Sequence, residues 1–219
     1  MQTPIQDVLT ESLFDINETL QEQFLQTSQT MLAYPALLAG YRTVQDSLSD
    51  PVFSNYLSVF VNHAVSALIP AAETAYRTAF TSELLTRLVY ATDSLEDICA
   101  DGASKLPEFL LPILVKLSEQ NRPYCLAFLL AAYGHYLRTS VDDKGDPYAV
   151  SEPRLTETDW DKINDHDELS LLDIEPLVSA NLRAIPHFSA AYKLFRKQIA
   201  IYGVSFTLRQ SMCTFLELA

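Results

Sequence analysis

A chain of 219 residues with 48% hydrophobic and 20% charged side chains can bury one sizeable core, and its composition is not that of a disordered segment. Its net charge of −13 argues against nucleic acid, whose phosphates need clustered Lys and Arg, and disfavours anionic membrane surfaces. With only 5 glycines, tight hairpins are scarce, so an all-β or glycine-rich α/β architecture starts at a disadvantage.

Apolar residues recur mostly at three- and four-residue spacing, and the expected fold is a single all-α, multi-helical domain. Gly40 follows Tyr34-Pro35-Ala36-Leu37-Leu38-Ala39 and is expected to end a helix at the C′ position. Asp50-Pro51 places an N-cap before a proline at N1 and opens a helix through Phe53, Tyr56, Leu57, Phe60 and Val61. Ser94-x-x-Asp97 and Thr156-x-x-Asp159 have capping-box spacing. Pro107 and Pro123 sit where helices are expected to begin. The second precedes Cys125-Leu126-Ala127-Phe128-Leu129-Leu130-Ala131-Ala132, apolar on nearly every side and therefore expected at the centre of the bundle.

From about Ser140 to Glu175 the expectation is a long irregular segment with a turn at Asp142-Asp143-Lys144-Gly145-Asp146-Pro147. Its acidic residues suit either a cation or basic-partner site or a solvated surface loop; the spacing lacks the ladder of a calcium loop, which favours the loop. Helix is expected again over Phe188–Tyr202 and Ser205–Leu216.

Cys99, Cys125 and Cys213 are odd in number and lack a C-x-x-C, which fits reduced thiols used for packing in a cytoplasmic protein. The start carries no secretory signal pattern, and the most apolar stretch, Tyr124 to Tyr133, is too short to span a bilayer. There is no G-x-G-x-x-G, no P-loop, no H-E-x-x-H and no G-x-S-x-G, and His63, His135, His166 and His187 are too dispersed to suggest a zinc site.

Four blocks in order carry a resemblance. They are Tyr34-Pro35-Ala36-Leu37-Leu38-Ala39-Gly40-Tyr41-Arg42 with Asp50-Pro51; Asp101-Gly102-Ala103-Ser104-Lys105-Leu106-Pro107 with Leu110-Leu111-Pro112; Leu130-Ala131-Ala132-Tyr133-Gly134-His135-Tyr136-Leu137 followed by Asp142-Asp143-x-Gly145; and Ala190-Ala191-Tyr192 with Gly203-Val204-Ser205-Phe206-Thr207-Leu208-Arg209. Together they resemble the C-terminal substrate domain of the mannitol dehydrogenase, or polyol-specific long-chain dehydrogenase, family, to which fructuronate and tagaturonate reductases are related. The domain is expected over residues 20–219, after an extension at 1–19.

The resemblance implies an all-helical domain that, in the family, closes over a sugar beside an N-terminal Rossmann domain carrying NAD(H) or NADP(H), with no metal. It also implies a catalytic helix with K-x-x-x-x-N-x-x-H, in which the lysine is the base and Asn and His hold the developing alkoxide. Those positions fall here on Gln21, Gln26 and Gln29, and no Lys, Asn or His occurs between Gln21 and Pro35 to restore the motif. A glutamine amide exchanges hydrogen bonds but takes no proton from an alcohol at neutral pH. The family's arginine in the third block is replaced by His135.

Each candidate has two readings. Gln21, Gln26 and Gln29 line a remodelled pocket, or form a polar helix face with no partner domain to cover it. Lys105 contacts an anionic ligand group, or pairs with a nearby carboxylate. His135 hydrogen-bonds a ligand hydroxyl, or is a satisfied helix histidine. Taking Met1 as the start leaves too few residues ahead of the domain for a βαβαβ fold, so no cofactor is expected on this chain alone, and NAD(P) only if a Rossmann partner supplies it. The expected role is a stand-alone, non-catalytic binding or interaction module for a small sugar, a polyol or a protein partner. Its rivals are a substrate-domain subunit of a split oxidoreductase and a fragment without activity. An exposed apolar patch is expected where the missing domain would pack.

Overall fold

The computed structural model describes residues 4–68, 74–111, 115 and 124–217, with side chains from residue 21 onward except at 67, 68, 109 and 213–217. Pro123 and the side chain of Cys213 lie outside this set. The regular elements of the described residues are all helices, and the bridges, Thr43 with Ser94 and Val141 with Pro147, are isolated pairs that build no sheet.

Helix α1, Pro4–Leu38, runs unbroken across residue 20. It stops at Gly40, whose φ of +85° suits a residue without a Cβ. The Tyr41 amide reaches back to the Ala36 carbonyl at 3.1 Å and the Gly40 amide to Leu37 at 3.0 Å, the paired bonds of a Schellman motif. Helix α2 covers Val44–Leu48. Helix α3, Pro51–Leu68, starts where expected: Asp50 Oδ1 accepts from the Val52 amide at 2.8 Å. Helix α4, Thr74–Val89, lies against both α3 and α1. The short helices α5, Leu95–Cys99, and α6, Gly102–Lys105, follow.

Pro107 stands in the first turn of a helical segment, as expected, but that segment is a π-helical continuation of α6 and not a separate α-helix. Helix α6 runs into a wider turn over Leu106–Leu110, in which the Leu106 carbonyl accepts from the Leu111 amide five residues on. A π-turn of this kind re-spaces the ladder locally, and the proline is accommodated inside it.

Helix α7, Tyr124–Thr139, is the central element: residues 126 to 134 are all buried, and it packs against α1 and, most extensively, against a later helix, α10 (Phe188–Tyr202). Each large apolar side chain fully withdrawn from water there contributes about 1.5–3 kcal/mol. Phe128 meets Tyr56 and Phe195 edge-on at 5.5 Å, and Tyr34 meets Tyr133 and Tyr136 edge-on at 5.0 and 5.3 Å.

The stretch from Ser140 to Glu175 is less irregular than its composition suggests. Thr156 and Asp159 form a complete capping box on helix α8, Glu157–Ile163, and a 3₁₀ turn follows at Glu168–Asp173. Helix α9, Glu175–Val178, leads on to α10. The last helix, α11, Val204–Glu217, begins on Asp143, whose Oδ2 accepts from the Val204 amide at 2.7 Å. Asp142 meanwhile holds Arg42 at 2.7 Å, so the Asp142-Asp143 turn ties the end of α1 to the start of α11. No described helix is long and apolar enough to cross a membrane. Ile201, Tyr202 and Phe206 are exposed at the α10–α11 corner, and Tyr90 at the end of α4 is 75% exposed.

Candidate functional site

One open cleft of about 330 Å³ gathers several of the residues that the sequence singles out. Helix α1 supplies Gln26, Gln29 and Thr30, the segment after α4 supplies Asp93 and Ser94, α5 supplies Asp97 and Ile98, and α6 supplies Lys105. The walls are fixed by backbone pairing: the Val44 amide donates to Asp93 and the Leu95 amide to Arg42, which lays residues 93–95 beside the end of α1. Ser94 then caps α5 by accepting from the Asp97 amide.

The three glutamines do not act as one set. Gln26 and Gln29 line the cleft, with Gln29 Nε2 donating to Asp93 Oδ2 at 2.9 Å and Gln26 exposed. Gln21 lies outside it, its amide donating to Glu83 of α4 at 3.3 Å, while Glu22 pairs with Arg87. The α1 face around Gln21 is thus partly covered by α4, an element of the same chain.

Lys105 lines the cleft, and its expected carboxylate partner is replaced by backbone: Nζ donates to the carbonyls of Asp97 and Ile98, both at 3.2 Å. Asp97 and Ile98 belong to the last turn of α5, where carbonyls lack helical partners and attract a cation. His135 is not among the cleft residues. It lies toward Arg196 and Arg138, and burial together with those two positive charges lowers its pKa to about 4.

Behind the cleft, Glu152 is 7% exposed and accepts from the Gly102 amide at 3.1 Å, the Ala103 amide at 2.9 Å and the Tyr133 hydroxyl at 3.1 Å. Burial lifts its pKa to about 7 against the pull of those donors. A Cβ at Gly102 would stand 2.0 Å from Tyr34 Oη, so only glycine lets the first turn of α6 lie this close. This cluster fixes α6, and with it Lys105.

Sequence reasoning missed Thr30, Asp93, Ser94 and Asp97 as cleft residues. The capping spacing of Ser94 and Asp97 marks a helix start, but which helix lies opposite depends on a fold-back of more than 60 residues. Chemically, the cleft offers amides, hydroxyls, carboxylates and one ammonium, a set that exchanges hydrogen bonds with hydroxyl groups. Among the described residues there is no glycine-rich turn to cradle a nicotinamide cofactor's phosphates, so the residues present do not fit that group. Nor do three His, Cys, Asp or Glu side chains gather there in a way that could hold a metal.

Residues 20–198 match the mannitol dehydrogenase C-terminal domain. A mannitol 2-dehydrogenase from Aspergillus fumigatus is 28% identical over 190 residues, 85% of this chain and 38% of that protein. The mannitol dehydrogenase DSF1 of Saccharomyces cerevisiae is 28% identical over 181 residues, 80% of this chain and 36% of its own length. The structure of Pseudomonas fluorescens mannitol 2-dehydrogenase, a ternary complex with NAD and D-mannitol, superposes with a TM-score of 0.74 at 28% identity, covering 85% of this chain and 39% of that one. A substrate-free D-sorbitol dehydrogenase structure gives 0.70 at 25% identity. The chain spans under two fifths of the length of these curated relatives, and through that helical portion it belongs to the mannitol dehydrogenase family.

Proposed function

We propose that these residues form a non-catalytic relative of the polyol dehydrogenase substrate domain, which binds a polyhydroxy ligand in the cleft between α1, α5 and α6 without oxidising it. The observation that carries this reading is the state of helix α1. Gln26 and Gln29, where the resemblance implies Asn and His, line the cleft with Lys105, while Gln21, at the position implied for the base, has a non-titrating side chain bonded to Glu83. Loss of a general base alone removes about 10²–10⁴-fold of rate. A related structure carries D-mannitol and NAD on a chain of which this one covers 39%. That coverage supports a second reading, in which a separate nucleotide-binding chain completes an active oxidoreductase.

Activity assays separate the two. The chain is offered mannitol, sorbitol, arabinitol, fructose and fructuronate with NAD(H) and NADP(H), with and without a nucleotide-binding domain from a relative. The expected result is no turnover in either case. Turnover by the unmodified chain once that domain is added would replace the binding-module reading with the split enzyme. Activity confined to the domain plus Gln21→Lys, Gln26→Asn and Gln29→His together would support the positions given to the three glutamines.

A further inference from the structure

The cleft's polar groups are unequal in what they leave for a ligand. Its one cation is engaged in part, since Lys105 Nζ spends two of its three N–H donors on the carbonyls of Asp97 and Ile98, at 3.2 Å each. The Gln29 amide donates to Asp93 Oδ2, and the Thr30 hydroxyl donates to the Gln26 carbonyl at 2.9 Å. What remains is weighted toward acceptors: the second oxygen of Asp93 and the carboxylate of Asp97, both on exposed side chains, and the Gln26 side-chain amide, which can accept or donate, against the Ser94 hydroxyl and one Lys105 N–H as donors. Two carboxylates against one ammonium make the lining net negative, within a chain of formal charge −13.

We propose that, among polyhydroxy compounds, the cleft prefers those carrying a protonated amine, amino alditols and amino sugars, over neutral polyols, and discriminates against aldonates and uronates. The proposal rests on the polyol-binding reading above and adds the ligand's charge class. Hydroxyls donate to the free acceptors whatever the ligand's charge. An ammonium adds a charge-assisted bond to Asp93 or Asp97, whereas a ligand carboxylate meets two like charges and has only the one remaining Lys105 N–H to pair with. Both acids face solvent, so the preference is modest and salt-sensitive: about 2–5-fold between successive charge states at low ionic strength, shrinking as the Debye length shortens.

Calorimetric titration with three open-chain six-carbon compounds that differ only at C1 tests this: glucamine, sorbitol and gluconate. The expected order of affinity is glucamine, then sorbitol, then gluconate, with the spread narrowing in 0.5 M salt (about a 4 Å screening length) and in the Asp93→Asn, Asp97→Asn double variant. Both substitutions are at exposed positions and leave the core intact. Gluconate binding as tightly as glucamine, or an order that persists in the double variant, overturns the charge preference while the polyol reading stands. Absence of binding by all three at millimolar concentration overturns both.

Discussion

Glu152 and Gly102, fifty positions apart, form the contact on which one wall of the cleft depends: the buried carboxylate accepts the Gly102 amide at 3.1 Å and, through its other oxygen, the Ala103 amide at 2.9 Å. It does for α6 what a local capping side chain does elsewhere, since the preceding Asp101 has left-handed backbone (φ 57°) and gives no side-chain cap. The arrangement leaves no room for a methyl group at Gly102, where Tyr34 Oη would be 2.0 Å away.

Gly102→Ala is therefore expected to lower stability by about 1–3 kcal/mol, the usual range for overpacking a well-filled site. Tyr34→Phe removes the opposing oxygen, along with its bond to the Cys99 carbonyl. The double variant should lose less than the sum of the two single losses, measured by urea denaturation. Simple additivity would mean that the two groups do not meet.

Glu152 and His135 contribute to the pH dependence of stability in opposite senses. Glu152 titrates near 7 in the fold against an ordinary value of 4.5, so its contribution is fully present below about 4.5 and lost as pH rises through 7. His135 titrates near 4 against 6.5, so its contribution is present above 6.5 and lost as pH falls through 4. Between about pH 4.5 and 6.5 they act in opposite senses, and each amounts to a few kcal/mol. The wild-type melting temperature should change little across that window. Glu152→Gln should make it fall on acidification, and His135→Gln should make it rise. Parallel curves for the two variants would contradict these environments.

Arg196 is 6% exposed; its Nη1 donates to the Ala131 carbonyl at 3.3 Å, and neither its Nε nor the neighbouring Tyr192 hydroxyl has a hydrogen-bond partner among the described residues. A guanidinium buried on those terms costs more than it returns. Arg196→Met keeps the stem volume and removes the charge, so stability should hold or rise by up to about 2 kcal/mol in thermal melts. A loss larger than 2 kcal/mol would show that the guanidinium has a stabilising partner.

The most legible features in the sequence were those whose causes are local. Gly40, Asp50-Pro51 and the Thr156–Asp159 box set helix ends through bonds spanning a few residues. The apolar run after Pro123 marks the central helix because no polar face was left to expose. The site was legible only in part. Gln26, Gln29 and Lys105 line one cleft, but Asp93 joins them through contacts 64 residues apart, and Glu83 draws Gln21 aside across 62. Pro107 marks the first turn of the Leu106–Leu110 segment, but that this segment continues α6, capped by Glu152 from a distant loop, is not written in the local sequence. His135 was separable from the cleft by helical geometry: two residues from Tyr133, about 200° around α7, it faces Arg196 while Tyr133 faces Glu152.

Whether the cleft holds a polyhydroxy ligand is tested most directly by a D-mannitol titration followed by nuclear magnetic resonance. Backbone amides of Ser94, Asp97 and Ile98 and the side-chain amides of Gln26 and Gln29 report from its walls. The account predicts saturable shifts at those groups, diminished by Lys105→Met, with no change around His135 and Arg196. Saturating mannitol that leaves the Gln26 and Gln29 amides unmoved, or shifts only residues outside the cleft, would contradict it.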